Sequence, residues 1–265
     1  MGIQSWLAAI GGDTWITGKI FAFWPWPAVL LGEYEYKFSE DDYRAFTAML
    51  KPGDILLSQS KPYKFSNFFI GKSVFKHGAI YTGDVRGIKN RKHGFIDRPI
   101  SLGVEHETKC TRDKGVYTRT ITHAVSEGVV CQDLLRLTKH ADYVIAVRPW
   151  KSTAQQQEIV DYALKQVGLG YNFDFSPEGP LEFYCTELCV AALKDAYLPA
   201  PATTKKGVSL FKFWEKADVT LSDSILLKYP AVCCSVSCLD PRFYKKSMFG
   251  DGVRLKIMEA DNADA

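Results

Sequence analysis

The sequence predicts an α+β fold, a β-sheet packed against helices with a candidate nucleophile at a helix start, and three observations carry that expectation. Short apolar runs bounded by turn residues recur along the chain, as strands require. Longer stretches with apolar residues three and four apart follow good capping residues, as helices require. A cysteine, Cys185, stands where one of those helices opens. At 265 residues with 46% hydrophobic and 13% aromatic content, the chain supports one substantial core plus extensions. The expected division is an aromatic arm over 1–38, a domain over 39–240 interrupted by an inserted loop at about 84–115, and a tail over 241–265.

In chain order, Ser39 followed by Glu40, Asp41 and Asp42 predicts a capped helix, with Tyr43, Phe46 and Leu50 on its apolar face and Lys51-Pro52-Gly53 stopping it. Strands are predicted at 54–58 and 79–82, each short, apolar and closed off by turn residues, with a short helix near 66–72 between them. Asp54 is expected to fix a turn. After the Gly-, Lys- and Arg-rich insertion, strands are predicted at 117–125 and 143–148, with a short helix at 132–139. Ser152 caps a helix whose apolar face is Ile159, Val160, Ala163, Leu164 and Val167, ended by Gly168 and Gly170. A further helix runs from near Tyr184 to about Asp195. Beyond it come a possible amphipathic segment at 211–214, a strand at 224–227, and a polar terminus at 259–265 expected to be disordered.

Charge and cysteine usage exclude some classes of function. A net charge of +3 from 33 basic and 30 acidic residues gives no strong pull toward nucleic acid, and no nucleic-acid partner is expected. Seven cysteines without paired ligand or disulfide spacing suggest a cytoplasmic or other reducing compartment and no metal; Cys233, Cys234 and Cys238 read as buried thiols. The first residues show neither a signal-peptide pattern nor a myristoylation signal. The apolar stretch 20–31 is too short for a bilayer core of roughly 30 Å and contains Pro25 and Pro27. With Trp15, Phe21, Phe23, Trp24 and Trp26, the segment from Trp15 to Leu31 packs on its own domain or docks at a membrane surface or protein partner.

Free amides at a helix start lower a thiol's pKa and can hold an oxyanion, so Cys185 suits a nucleophile. A base must then come from the five histidines. His77 just precedes the strand beginning Gly78-Ala79, and His123 lies within Thr120-Ile121-Thr122-His123-Ala124; His93, His106 and His140 stand in loop-like contexts. On the residues alone, a packed thiol and structural histidines stay open beside catalysis.

Several blocks, in order, resemble one family. Lys51-Pro52-Gly53-Asp54-Ile55-Leu56-Leu57 and Phe75-Lys76-His77-Gly78-Ala79-Ile80-Tyr81-Thr82-Gly83 are followed by Ile121-Thr122-His123-Ala124-Val125-Ser126-Glu127-Gly128-Val129. Then come Val147-Arg148-Pro149, Gly170-Tyr171-Asn172-Phe173 and Phe183-Tyr184-Cys185-Thr186-Glu187-Leu188. This order, histidine before cysteine, resembles the YiiX/YaeF-like permuted papain-fold proteins of the NlpC superfamily. The resemblance implies a circularly permuted papain-like (NlpC-type) fold, an antiparallel sheet or partial barrel packed against helices.

It also implies catalytic roles: Cys185 as nucleophile, His77 as base, and His123 in the third position, often glutamate in permuted members. Glu127 and Glu105 are possible carboxylate substitutes, and Cys189 a rival thiol expected to pack instead. Glu187 reads first as a helix-start charge. Tyr184 and Tyr171 are candidate substrate-binding residues that, with Trp150, could line a cleft, core packing being the more frequent role for aromatics at such places. The activity implied is a thiol-dependent amidase or peptidase without a cofactor, acting on a peptide, amide or acyl-lipid substrate. Delivery by a phage would require no export signal. A lipid acyltransferase or thioesterase, or a non-catalytic binding protein, are the alternative readings.

Overall fold

A computed structural model describes residues 36–60, 73–85, 117–125, 128–172, 182–207 and 216–239. Helix α1 (Glu40–Met49) begins as predicted. The Ser39 hydroxyl accepts the Asp42 N–H, and the Asp42 carboxylate accepts the Ser39 N–H, a complete capping box. Strands β1 (Ile55–Gln59), β2 (His77–Val85), β3 (Tyr117–Val125), β4 (Gly128–Asp133), β5 (Tyr143–Val147) and β10 (Ala231–Cys234) form one sheet in the order β10-β5-β1-β2-β3-β4. Every neighbouring pair is antiparallel. Among the described residues β4 and β10 do not meet, so the sheet is open rather than a closed barrel.

Alternation along the strands sorts side chains to two faces. Ile55, Leu57, Ile80, Ile145 and Val147 face one apolar cluster with α3 (Thr153–Lys165) and α4 (Cys185–Asp195), through Ile159, Ala163, Leu188, Cys189, Ala192 and Leu193. Leu56, Ala79, Tyr81, Ile121, Val144 and Ala146 face a second cluster with Phe46 and Leu50 at α1 and Leu134 and Leu137 of α2 (Leu134–Thr138). Helices on both faces explain why β1 and β5 read as continuous apolar runs.

One ion pair locks the sheet to α1. Asp54, fully buried, accepts Arg148 Nε and Nη2, both at 2.8 Å, and the Lys51 N–H at 2.9 Å, while Arg148 Nη2 also reaches Met49 O. The expected turn role of Asp54 is therefore one part of a larger job. Burial raises its pKa, against the lowering effect of Arg148.

Three local expectations are corrected. Residues 224–227, predicted as a strand, lie in helix α5 (Ser222–Lys228). A four-residue apolar run fits either state, and here only Ile225 is buried in the core while Leu227 is 57% exposed, a helical rather than an alternating pattern. The predicted helix at 132–139 shortens to α2, capped by Asp133, whose carboxylate accepts the Leu135 N–H. The residues before it form β4, which pairs with β3 from Val125↔Gly128 to Thr120↔Asp133. His77, expected just before its strand, is the first residue of β2 and pairs with Ser58.

A parallel pair of β6 (Gly170–Tyr171) and β7 (Glu182–Phe183) leads into α4, and β8 (Thr204–Gly207) pairs with β9 (Lys216–Val219). No helix among the described residues is long and apolar enough to cross a membrane. The aromatic segment 15–31, the short helix predicted at 66–72, most of the insertion, the segment 211–214 and the tail lie outside the described residues.

Candidate active site

The first turn of α4 is built from the signature residues themselves. Tyr184 is the N-cap in extended backbone, and its N–H donates to Glu187 Oε2 at 3.1 Å, which Asn172 Nδ2 also reaches at 3.2 Å. Thr186 Oγ1 donates to Thr220 O at 2.7 Å, and the Thr220 N–H donates back to the Tyr184 hydroxyl at 3.3 Å. Glu187 is therefore a capping acid, as expected, and its neighbours anchor the helix start to the segment that enters α5.

That same segment grips the other side of the site. Asp223, fully buried, accepts the Val74 N–H at 2.6 Å and the Phe75 N–H at 3.0 Å, fixing the chain just ahead of His77. Asp223 and Thr220 drew no attention in the sequence because the strand expected at 224–227 hid the helix that they lead into. The acid beside Ser222 at a helix start was the available signal.

Where β2 begins, it crosses the first turn of α4 at Gly78. A Cβ there would lie 3.2 Å from Cys189 Sγ and 3.3 Å from Thr186 Cγ2, so the close approach needs glycine. Cys185, 7% exposed, makes its hydrogen-bond contact from Sγ to Lys76 O at 3.9 Å. Thus Lys76 and Gly78, the residues on either side of His77, both lie against this turn of helix.

Burial pushes the Cys185 thiol above its ordinary 9, opposed by the backbone N–H groups of Gly78, Thr186 and Cys185. The helix start acts in the expected direction, but desolvation outweighs it. Cys189, fully buried in the core one turn on, is raised well above 9 by burial and then by Cys185, in keeping with a packing role.

The histidines are brought together. His77 Nε2 lies 2.8 Å from His123 Nδ1, with the rings edge to face, and His123 Nε2 lies 3.2 Å from Gln132 Oε1. Burial, reinforced by the charge His123 could carry, holds His77 well below 6.5. Burial lowers His123 to about 4, partly offset by the Gln132 hydrogen bond. Both rings are neutral near pH 7. Gln132 drew no attention in the sequence because β4 was not recognised.

Tyr171, half-buried beside β7, sits in the field of Cys185, Tyr184 and Glu187; burial, then these groups, raises its hydroxyl well above 10. Burial likewise pushes Tyr184 up to about 12, and its hydroxyl already serves the Thr220 N–H. Trp150 instead stacks under the Arg148 guanidinium at 5.1 Å.

Elsewhere, Cys233 and Cys238 are buried and Cys234 is partly so. No group of three or more His, Cys, Asp or Glu side chains among the described residues is arranged to hold a metal ion. Glu105, Glu127, His93 and His106 fall outside the described residues.

No curated protein matches the chain. Among solved structures it is similar to the crystal structure of the metalloprotein yiiX from Escherichia coli O157:H7, at 16% identity, covering 70% of this chain and 97% of that one, with a TM-score of 0.45. The model of the permuted papain-like amidase enzymes, the YaeF/YiiX, C92 family, matches residues 49–228, and the chain belongs to that family of cysteine-type amidases and peptidases.

Proposed function

We propose that the chain hydrolyses an amide through an acyl-enzyme on Cys185, with His77 as general base and His123 orienting it. The observation that carries this reading is the crossing at Gly78, which sets the backbone on both sides of His77 against the helix turn that bears the thiol. Burial keeps the thiol protonated and the histidines neutral, so the resting pair is a thiol and an imidazole rather than an ion pair.

In the reaction the thiol proton leaves the Lys76 carbonyl and passes to His77 as sulfur bonds to the substrate carbonyl carbon. The carbonyl electron pair moves onto oxygen, which the helix-start N–H groups stabilise. Collapse breaks the C–N bond, and His77 returns its proton to the departing amine. Water then adds to the thioester, giving a proton to His77, and the acid leaves as the thiol is restored. The substrate class proposed is a peptide, amino-acyl amide or acyl-lipid amide; what supports it is the amide chemistry of the family.

Incubation with acyl amides and a p-nitrophenyl acyl ester, acid quenching and peptide mapping test this. A thioester on Cys185, absent in Cys185→Ala, is the expected result. An acyl group on Cys189 alone, or on no cysteine while product forms, contradicts it. Discharge to an added alcohol or amine in preference to water would select acyl transfer.

A further inference from the structure

We infer that Gln132 is a positioning residue that sets the direction of the His77–His123 hydrogen-bond chain, so that His77 presents a bare Nδ1. This deepens the proposed reaction and rests on that reading. The geometry comes from the β3–β4 hairpin. His123 pairs with Val130 and Gln132 with Ile121, which makes His123 and Gln132 diagonal neighbours on one face, within reach of long side chains. Both are 4% exposed, so each polar atom on this face needs a defined partner.

A neutral imidazole has one N–H and one bare nitrogen. With Gln132 Oε1 accepting, His123 must carry its proton on Nε2. His123 Nδ1 is then bare and must accept from His77 Nε2, 2.8 Å away. That fixes the remaining nitrogen of His77, Nδ1, as a proton acceptor, the state a general base requires. If the amide nitrogen of Gln132 faced His123 instead, each donor in the chain would reverse and His77 Nδ1 would already hold a proton. A carboxylate at the same place would also accept, but it would draw a positive charge onto His123. The neutral amide sets the tautomers without doing so.

The test uses the full chain labelled with ¹⁵N-histidine. Long-range ¹H–¹⁵N spectra near neutral pH, assigned with single His→Gln variants, report which nitrogen of each ring is protonated. The expected pattern is a proton on Nε2 and a bare Nδ1 for both His77 and His123; a proton on Nδ1 of either overturns the inference without recourse to any variant of Gln132. Gln132→Met, which keeps volume but offers no acceptor of comparable strength, should give mixed tautomers and slow alkylation of Cys185 by iodoacetamide roughly tenfold or more. Gln132→Glu, which has only acceptors when ionised, should keep the proton on His123 Nε2. Unchanged tautomers in Gln132→Met contradict the assignment. If Cys185 forms no acyl-enzyme yet both rings show the Nε2–H pattern, the hydrolase reading falls and the polarity of the chain stands.

Discussion

The first turn of α4 holds Cys185 with backbone amides and a ring of short capping contacts, whereas the start of β2 depends on side chains delivered from two neighbouring strands. On the helix side, Tyr184, Thr186 and Glu187 lie within two residues of the thiol, and each fastens the turn through a main-chain group. On the sheet side, His77 meets His123 from 46 residues away, and Gln132 stands behind it on a third strand. A helix start can be assembled locally, while the histidine chain exists only if the strand register is right. Both sides are driven toward neutrality by burial, so neither the thiol nor the two imidazoles carries a standing charge near pH 7.

The largest effect that would break this comparison is Cys185→Ala, expected to reduce amide or ester turnover by roughly a thousandfold or more, while Cys189→Ala leaves turnover measurable and costs stability instead. Comparable losses in steady-state assays of both variants would mean that the two turns of α4 are not distinct in function. Next comes Asp223→Ala. It leaves the Val74 and Phe75 N–H groups without their acceptor and should cost about 2–5 kcal/mol in urea unfolding. A change below about 0.5 kcal/mol, the ordinary scatter of surface substitutions, would show that the lead into β2 is held by other means.

Gly78→Ala sharpens the comparison at the point where the two sides touch. Its Cβ would press on Cys189 Sγ and Thr186 Cγ2, at an expected cost of about 1–3 kcal/mol from crowding. A variant as stable as the parent would mean that β2 and α4 separate readily.

The last effect is the acid dependence of stability, to which His77, also held well below 6.5 by burial, contributes in the same sense as His123. His123 falls to about 4 in the folded chain against 6.5 for the free group, so the unfolded chain binds the extra proton between those values. Stability present above pH 6.5 is therefore lost as pH falls toward 4. The raised pKa values of Asp54 and Asp223 act in the opposite sense, because the folded chain holds those protons more tightly. Urea midpoints at pH 7.5 and 5 should differ less in His123→Gln than in the parent; an equal or larger difference would place the acid sensitivity elsewhere.

Local chemistry was legible in the sequence and long-range register was not. Ser39 and Ser152 mark helix starts correctly, Tyr184-Cys185 marks the start of α4, and the apolar runs of β1 and β5 lie where turn residues bound them. The ordered family blocks supplied the fold. β4 escaped notice because Val129, Val130 and Cys131 are all buried, which erases the alternation that marks a half-exposed strand, and with β4 went Gln132. Residues 224–227 misled for a related reason: a short apolar run is ambiguous, and what decides it is the capture of Asp223 by a segment about 150 residues away. The thiol's upward shift was likewise not visible, since the helix-start amides can be inferred from sequence but the depth of burial cannot.

The most direct test of the central claim is the rate of iodoacetamide labelling at each cysteine as a function of pH, located by mass spectrometry, in the parent and in His77→Ala. The account predicts that Cys185 reacts faster than Cys189 near neutral pH, that its rate keeps rising with pH as a raised thiol pKa demands, and that His77→Ala slows it. Equal rates at Cys185 and Cys189 near neutral pH, with no change in His77→Ala, would contradict it.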